Sequence, residues 1–380
     1  MDGPLMQGGA LPAPAASVNY GSAGMAHALY RIACARDDGE LLSLADVWST
    51  RSAREIGTDE AFYNKGFDIT SETVGDVSLY HGPVGVFLVQ VQLACARGDM
   101  AARYAGTRSF IEACRRPCEL LDLTLGRAGA LLACSLLLDT FDRETVGAFE
   151  AERNELLRVG NEIHESLWQT VHDDAPIGQG GKLSTLGIAH GWAGLLYAAM
   201  CWSATARRQV PDALDRRLSE LADCAEPVGR GLQWKYDLTS RHPNPYMSGW
   251  CNGSAGYVFL WTRAYHATGE RAYLALAEGA AWHTWEGASP NASLCCGGAG
   301  QAYALLNCYR HSGESAWLRR ARDVARAAAA VSTPQSAAAS TDAPEWRPQS
   351  LYKGGAGVAV LGAEIQRPED ARMPLFESEP

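Results

Sequence analysis

Three cysteines of this sequence stand directly before Gly-x-x-Gly motifs, where x is any residue. Cys251 lies two residues before the first glycine of its motif, and Cys295 and Cys296 lie two and one residues before theirs. Three thiolates suit a soft or borderline divalent cation, and zinc is the usual choice in a reducing compartment. If the motifs are equivalent repeats, the three sulfurs share one end of the fold. We therefore predict a zinc site on these cysteines.

Such a site has a defined chemistry. A catalytic zinc keeps a fourth position open, and an incoming thiol bound there is held as thiolate, a nucleophile near neutral pH. Because each cysteine precedes a predicted helix N-terminus, the helix dipole favours the ligating thiolate. His190 stands one residue before the first glycine of another motif. Imidazole titrates near the working pH, so His190 is the candidate general acid or base.

Other interpretations of the cysteines remain open. They are also compatible with buried structural thiols, a common fate of free cysteine. A closed zinc site with four cysteines needs one more ligand. Cys308 lies about 18 Å further along the same predicted helix, at 1.5 Å per residue, and cannot supply it. Cys201 and Cys224 have no predicted place, so a closed site is disfavoured rather than excluded.

Neighbouring positions are less decisive. His190 could instead be a histidine satisfied within packing. His81 and Lys353 hold the same position in their motifs, which leaves open whether they line the pocket. Asp122 lies four residues before the first glycine of its motif. It could face the cavity, although an aspartate there is also a common helix cap.

The elements that position these residues are repeats. A short polar or aromatic approach, Gly-x-x-Gly and an apolar run recur in seven copies, at 19–33, 79–94, 122–138, 188–200, 249–261, 294–306 and 351–363. The apolar runs are hydrophobic nearly all round, as in helices buried on every side. The segments between them, such as 146–171 and 315–331, show helical amphipathic periodicity. We predict an all-α fold of seven helical hairpins, with buried helices inside an outer ring.

The domain organisation follows from the same repeats. We expect one domain over residues 18–380 and a flexible N-terminal lead over 1–17. The stretch 332–344, which is small, polar and punctuated by proline, predicts a solvated loop. No segment has a strand period long enough to need a sheet.

Composition excludes several classes of protein. A formal net charge of -10 gives no basic footprint for nucleic acid and fits partners that are basic or uncharged. The first residues lack a basic start and an apolar run of signal-peptide length, and no long apolar stretch predicts a membrane span. We therefore expect a cytoplasmic protein. In that reducing compartment the eleven cysteines are free thiols or metal ligands.

At this point three loops carry a resemblance. The sequences AHGWAG, GWCNGSAG and LCCGGAG are similar to the signature loops of the lanthionine synthetase C-like (LanC-like) family, and the similarity runs through all seven copies. Membership implies a double α-toroid, and it implies zinc-dependent addition of a cysteine thiol to dehydroalanine or dehydrobutyrine in a peptide. The implied products are lanthionine or methyllanthionine thioethers.

The resemblance also assigns residues. It makes Cys251 and Cys295 zinc ligands, and His190 the residue that protonates the enolate left by thiol attack. Asp122 matches a functionally important family aspartate that orients the substrate thiol or His190. Cys296 stands where most members have histidine, which resembles the branch of the family with Cys-Cys-Gly and three cysteine ligands.

The third thiolate has a chemical consequence. It adds a negative charge to the metal site, so we hypothesise that the bound substrate thiolate is more nucleophilic and the substrate range wider. Equal rates for the wild type and Cys296→His over one substrate panel would refute this idea.

Four functions are compatible with these residues. The first is a peptide cyclase, whose dehydrated peptide needs a dehydratase or kinase, as partner or fused domain. No glycine-rich kinase loop, HRD or DFG triplet occurs here. The second is addition of glutathione to dehydroamino acids in proteins. The third is a non-catalytic zinc-stabilised module that works with a kinase. The fourth, a toroidal glycosidase or prenyl cyclase, lacks the paired carboxylates that its chemistry needs.

Overall fold

The computed structural model describes residues 11–143, 150–210, 213–332 and 349–379, and most of them are helical. Within these ranges there are thirteen α-helices. In chain order they are α1 (Ser22–Arg36), α2 (Gly39–Glu55), α3 (Pro83–Ala96), α4 (Met100–Cys114), α5 (Arg127–Arg143), α6 (Glu150–Asp173), α7 (Trp192–Thr205), α8 (Ala213–Ala222), α9 (Ser254–Thr268), α10 (Arg271–Glu286), α11 (Gly298–Ser312), α12 (Ser315–Val331) and α13 (Gly355–Glu364).

The odd-numbered helices form a closed inner ring. Each of them packs against the next odd-numbered helix along the chain, and α13 packs against α1. Each begins within a Gly-x-x-Gly motif and is buried along most of its length, as the uniform apolar character of the sequence predicts. The predicted all-α toroid of repeated hairpins is therefore confirmed.

The even-numbered helices form the outer layer. In α12 the buried residues are Trp317, Ala321, Val324 and Ala328, a spacing of three and four residues that faces one side of a helix. Such helices cover the inner ring with one face and expose the other. The described strands, β1 (Glu226–Val228) and β2 (Gly231–Gln233), form one short antiparallel hairpin with Pro227 opposite Leu232.

The seventh repeat differs from the other six. Residues 365–379 follow α13 without forming a helix. This C-terminal segment enters the centre of the inner ring, where three successive carbonyl oxygens accept hydrogen bonds from tyrosines of three different repeats. The pairs are Tyr352 to Pro374 at 2.6 Å, Tyr80 to Leu375 at 3.1 Å and Tyr197 to Phe376 at 3.3 Å. The segment therefore fills the core of the toroid.

The prediction of a flexible lead over residues 1–17 is wrong for residues 11–17. Leu11 is 3% exposed, and the backbone N–H groups of Ala15 and Ala16 donate to the carbonyls of Glu60 and Ala61. The packed chain therefore begins earlier than predicted, because these apolar residues cover the loop after α2. Residues 1–10 lie outside the described ranges.

Two further expectations concern loops and membranes. Apart from Ser332, the predicted loop over 332–344 also lies outside the described ranges. Among the described helices, none combines the length and apolar character needed to cross a membrane.

Candidate metal centre

The two glycines of each motif have steric reasons. Gly253, the N-cap of α9, is extended with a φ of −130°, so its backbone conformation does not require glycine. A Cβ there would lie 2.4 Å from the carbonyl of Met247 in its own loop. A Cβ on Gly256 would lie 2.4 Å from the carbonyl oxygen of Trp250 in its own loop and 2.9 Å from the side chain of Ile188 in the preceding repeat. Both glycines therefore permit the tight loop, and the second also permits the close approach of the preceding repeat.

A circle of backbone hydrogen bonds joins the loops at this end of the toroid. The residue two positions before the first glycine donates its N–H to the carbonyl of the equivalent residue in the next repeat. Six junctions have this bond: Asn19 to Tyr80, Thr124 to Ala189, Ala189 to Cys251, Cys251 to Cys295, Cys295 to Tyr352, and Tyr352 to Asn19. At the seventh, the hydroxyl of Ser78 donates to the carbonyl of Thr124 at 2.6 Å. Residues at equivalent positions of neighbouring repeats therefore lie close together.

This circle brings the three predicted cysteines together. The N–H of Cys251 donates to the carbonyl of Cys295 at 3.0 Å. Gly249 allows the two loops to touch, because a Cβ there would lie 2.8 Å from Cα of Cys296. The three Sγ atoms lie within 4.8 Å of one another. Cys251 and Cys295 are buried, and Cys296 is partly exposed.

The electrostatics of the trio favour a single thiolate, at Cys296, while hydrogen bonding to neighbouring sulfurs and burial raise the pKa of Cys251 and Cys295. Hydrogen bonds from the thiols of Cys251 and Cys295, together with the ammonium of Lys353, lower the pKa of Cys296. The Nζ of Lys353 lies 3.7 Å from Sγ of Cys296. The thiols precede the N-termini of α9 and α11, whose partial positive charge also favours negatively charged sulfur.

The donor set fits a zinc ion. A tetrahedral zinc with Zn–S distances of about 2.3 Å separates its sulfurs by about 3.8 Å, which the spacing of the trio accommodates. All eleven cysteines lie in the described ranges, and among them only these three form a group that could hold a metal ion. No fourth histidine, cysteine, aspartate or glutamate of those ranges joins the group. The arrangement therefore suits a metal with an open position better than a closed four-cysteine site.

His190 lies at the same end of the toroid, in contact with Thr124 and Asp122. Its Nδ1 is 2.9 Å from Oγ1 of Thr124 and 3.5 Å from Oδ2 of Asp122. The Thr124 hydroxyl has one proton and donates it to the carbonyl of Ala189 at 3.2 Å. The carboxylate of Asp122 can only accept, so its contact favours a proton on Nδ1 of His190, and the Thr124 hydroxyl can then accept from the same N–H. This arrangement leaves Nε2 as the atom that can gain or lose a proton.

Asp122 caps its own loop and also contacts His190. Its Oδ1 accepts the N–H of Leu125 at 2.6 Å, which caps the loop. Ser78 and Ser350 stand at the equivalent position of two other copies and cap their loops in the same way. A serine has only one oxygen, whereas the second oxygen of Asp122 faces His190. The carboxylate is 14% exposed, so its interaction with an imidazolium is only partly screened.

Comparison with known proteins agrees with this architecture. A model of the family described as lanthionine synthetase C-like protein matches residues 15–378. The chain belongs to this family. Among solved structures it is similar to nisin cyclase, with a TM-score of 0.63 over 92% of this chain and 88% of that chain. The sequence identity is 13%, so this likeness supports the shared toroidal fold.

His81 and Lys353 are two further residues of the loop circle. His81 is 7% exposed, and its Nε2 lies 3.1 Å from the side-chain amide nitrogen of Asn19. Burial, together with His190 and Lys353, lowers the pKa of His81 to about 3, so this imidazole is neutral. His81 and Lys353 therefore belong to the same electrostatic neighbourhood as His190 and Cys296.

Sequence analysis missed Thr124 and the contact between Lys353 and Cys296. Thr124 has the register of Cys251, two residues before its glycine, so the repeat alignment contains the signal. The reach of a lysine side chain into the neighbouring repeat is not visible in that alignment. Cys201 and Cys224, which had no predicted place, lie on α7 and just after α8, outside the trio.

Proposed function

We propose that this protein is a zinc-dependent peptide cyclase that adds a cysteine thiol to dehydroalanine or dehydrobutyrine to form lanthionine or methyllanthionine. One observation carries the proposal: three thiols within 4.8 Å of one another stand on the loop circle that also holds the His190–Asp122 pair. Family membership and the fold support the same chemistry.

Cys251, Cys295 and Cys296 would hold the metal. When bound there, zinc supplies a Lewis acid that keeps an incoming thiol deprotonated near neutral pH. In the reaction the thiol S–H bond breaks and a C–S bond forms at Cβ of the dehydroamino acid. The π electrons of the double bond move towards the carbonyl, and Cα finally takes up one proton. Atoms and charge balance without an oxidant or a reductant.

His190 would supply the proton to Cα. Its Nδ1–H is fixed by Thr124, so the proton is carried on Nε2. The carboxylate of Asp122, 3.5 Å from Nδ1, stabilises the imidazolium form and orients the ring. The half-exposed ring, at 39% side-chain exposure, remains accessible to a peptide.

The substrate class follows from the same site. A dehydrated precursor peptide would come from a separate dehydration activity, provided by a partner or fused dehydratase or kinase. The net charge of -10 suits a peptide with basic segments. The described cysteines form no disulfide with one another, which suits the cytoplasmic, reducing compartment that the sequence predicts.

A nucleophile competition tests this proposal. The protein is incubated with a peptide that contains one dehydroalanine and one cysteine, and with a matched peptide that has serine in place of that cysteine, each with glutathione. A cyclase removes the free thiol of the first peptide without a change in mass. A glutathione-adding enzyme instead raises the mass of both peptides. Zinc binding without turnover of either peptide would favour a non-catalytic module.

Matched variants assign the reaction to the trio. Cys251→Ala should lose both bound zinc and turnover. Cys308→Ala removes a buried thiol from α11, outside the trio, and should keep both. Retention of turnover by Cys251→Ala would overturn the proposed function.

A further inference from the structure

Lys353 comes from the seventh repeat, next to the repeat that contributes Cys296. It stands one residue before its first glycine, as Cys296 does. Its backbone N–H donates to Oγ of Ser350 at 2.9 Å, and that hydroxyl donates to the carbonyl of Asn19 at 2.6 Å. The carbonyl of the neighbouring Tyr352 accepts the N–H of Cys295 at 3.0 Å. The loop circle therefore fixes the position from which the ammonium reaches Cys296.

The charge of the metal centre makes this contact significant. Three thiolates around a divalent cation leave one net negative charge, whereas two thiolates and a neutral imidazole leave none. Two of the three cysteines are buried, so water screens the extra charge weakly. The adjacent His81 is buried and neutral, and it cannot supply a compensating charge. The Nζ of Lys353, 3.7 Å from Sγ of Cys296, supplies one positive charge at the third thiolate.

We propose that Lys353 is a positioning residue that compensates the charge of the third thiolate and thereby stabilises a three-cysteine zinc centre. The inference rests on the proposed function, because it assumes that the trio binds zinc. It links two residues of the loop circle, the cysteine at position 296, where most family members have histidine, and the lysine at position 353. The two residues form one charge-balanced unit.

A double-mutant cycle tests this coupling. Lys353→Gln removes the charge and keeps a polar side chain, and Lys353→Arg keeps the charge. Both are made in the wild type and in Cys296→His, where an imidazole replaces the third thiolate. Zinc affinity is measured by competition with a chromogenic chelator. Lys182→Gln, the same change at an exposed lysine, is the control.

In the wild type we expect Lys353→Gln to weaken zinc binding by roughly 10–100-fold, as for other groups that support metal ligands. Lys353→Arg should lose less zinc affinity than Lys353→Gln, because arginine keeps the positive charge. In Cys296→His, the same Lys353→Gln change should have little effect or strengthen binding, because no third thiolate needs compensation. Thermal melting in chelator should be equal for the wild type and Lys353→Gln, which excludes misfolding as the cause.

Three outcomes would overturn the inference. Equal weakening in both backgrounds would indicate a general structural role. Unchanged zinc affinity with loss of turnover would indicate that Lys353 contacts the substrate. Faster release of zinc from Lys353→Arg than from Lys353→Gln would exclude charge compensation. If the wild type binds no zinc, the proposed function fails instead, so the two failures are distinguishable.

Discussion

The two ends of the inner helical ring share the same helices but differ in chemistry. At the loop end, helix N-termini face thiols and the carboxylate of Asp122. At the opposite end, Arg310 and His311 lie in the last turn of α11, and the C-terminal segment brings Glu377 to Arg310. Helix N-termini favour negative groups and helix C-termini favour positive ones. The parallel inner helices therefore favour anionic sulfur at the loop end and a cation such as Arg310 at the opposite end.

The opposite end also contains a cavity of about 610 Å³ between α5, α7, α9, α11 and the C-terminal segment. Its arginines are already engaged: Arg263 donates to the carbonyl of Met200, Arg310 pairs with Glu377, and Arg372 donates to the carbonyl of Glu369. Nδ1 of His311 lies within hydrogen-bond distance of Nε2 of His266, at 2.7 Å. Burial lowers the pKa of His311 to about 4. Volume alone would favour this end as the site, but its groups mainly satisfy one another. The proposed chemistry uses the loop end, whereas the paired groups of this end contribute to stability.

Replacement of His190 should produce the largest difference in cyclisation rate between variants of the two ends. We expect His190→Ala to lower the cyclisation rate by roughly 10²–10⁴-fold, because a positioned acid or base contributes about that much. Zinc content and the melting temperature should hardly change, since the ring is partly exposed. His311→Gln, at the opposite end, should leave the rate unaltered. Equal rate losses in both variants would remove the distinction between the ends.

Glu377 tests the stabilising end. It is 8% exposed, pairs with Arg310, and accepts hydrogen bonds from the side chain of Asn307 and the N–H of Met373. Glu377→Ala leaves the Arg310 charge buried and unpaired, so the free energy of unfolding should fall by about 3–5 kcal/mol in urea titrations. Zinc bound per folded chain should stay constant. Loss of zinc without loss of stability would contradict the comparison.

The same carboxylate predicts a pH dependence. Burial raises the pKa of Glu377, but Arg310, the N–H of Met373, Arg372 and Asn307 outweigh it, and the net pKa is lowered. Because the folded pKa lies below the unfolded value of about 4.3, its stabilisation is complete above that value and is lost as pH falls through the folded pKa. Glu377→Gln should flatten this acid limb of stability. An unchanged acid limb would show that other carboxylates control it.

Repeat register explains how much of this molecule could be predicted. Cys251, Cys295 and Cys296 lie one or two residues before the first glycine of their motifs. Alignment of the motifs is therefore enough to place them together. The C-terminal segment has no equivalent in the other copies. Its contacts are long-range, such as the hydrogen bond from Tyr80 to Leu375, and no periodicity in the sequence predicts them. The same applies to residues 11–17, most of which are buried.

Side-chain contacts between repeats are the other feature that could not be predicted from the sequence. Asp122 could be located but not assigned a single role, because capping and contact with His190 use different oxygens of one carboxylate. Register fixes where Cα lies. It does not fix which way a long side chain such as Lys353 extends, and that depends on packing in the neighbouring repeat.

Gly249 sharpens the comparison at the loop end. A Cβ at this position would lie 2.8 Å from Cα of Cys296, so Gly249→Ala must separate two loops of the trio. We expect weaker zinc binding and a loss of about 1–3 kcal/mol in unfolding free energy, as for other overpacked sites. Gly362→Ala, in α13, meets no atom within 4 Å and should instead stabilise by roughly 0.5–1 kcal/mol. The pair is compared by chelator competition and urea unfolding. Unchanged zinc affinity in Gly249→Ala would show that the loops tolerate separation.

The smallest expected effect comes from Tyr352, which belongs to both regions. Its backbone carbonyl accepts the N–H of Cys295 at 3.0 Å, and its hydroxyl donates to the carbonyl of Pro374 at 2.6 Å. Tyr352→Phe removes only the second bond, so unfolding free energy should fall by about 1 kcal/mol while zinc affinity stays the same. Tyr197→Phe, whose hydroxyl bond to Phe376 is longer at 3.3 Å, should cost less. A matching loss of zinc affinity in Tyr352→Phe would mean that the C-terminal segment also stabilises the metal centre. The two ends of the inner ring would then be energetically coupled.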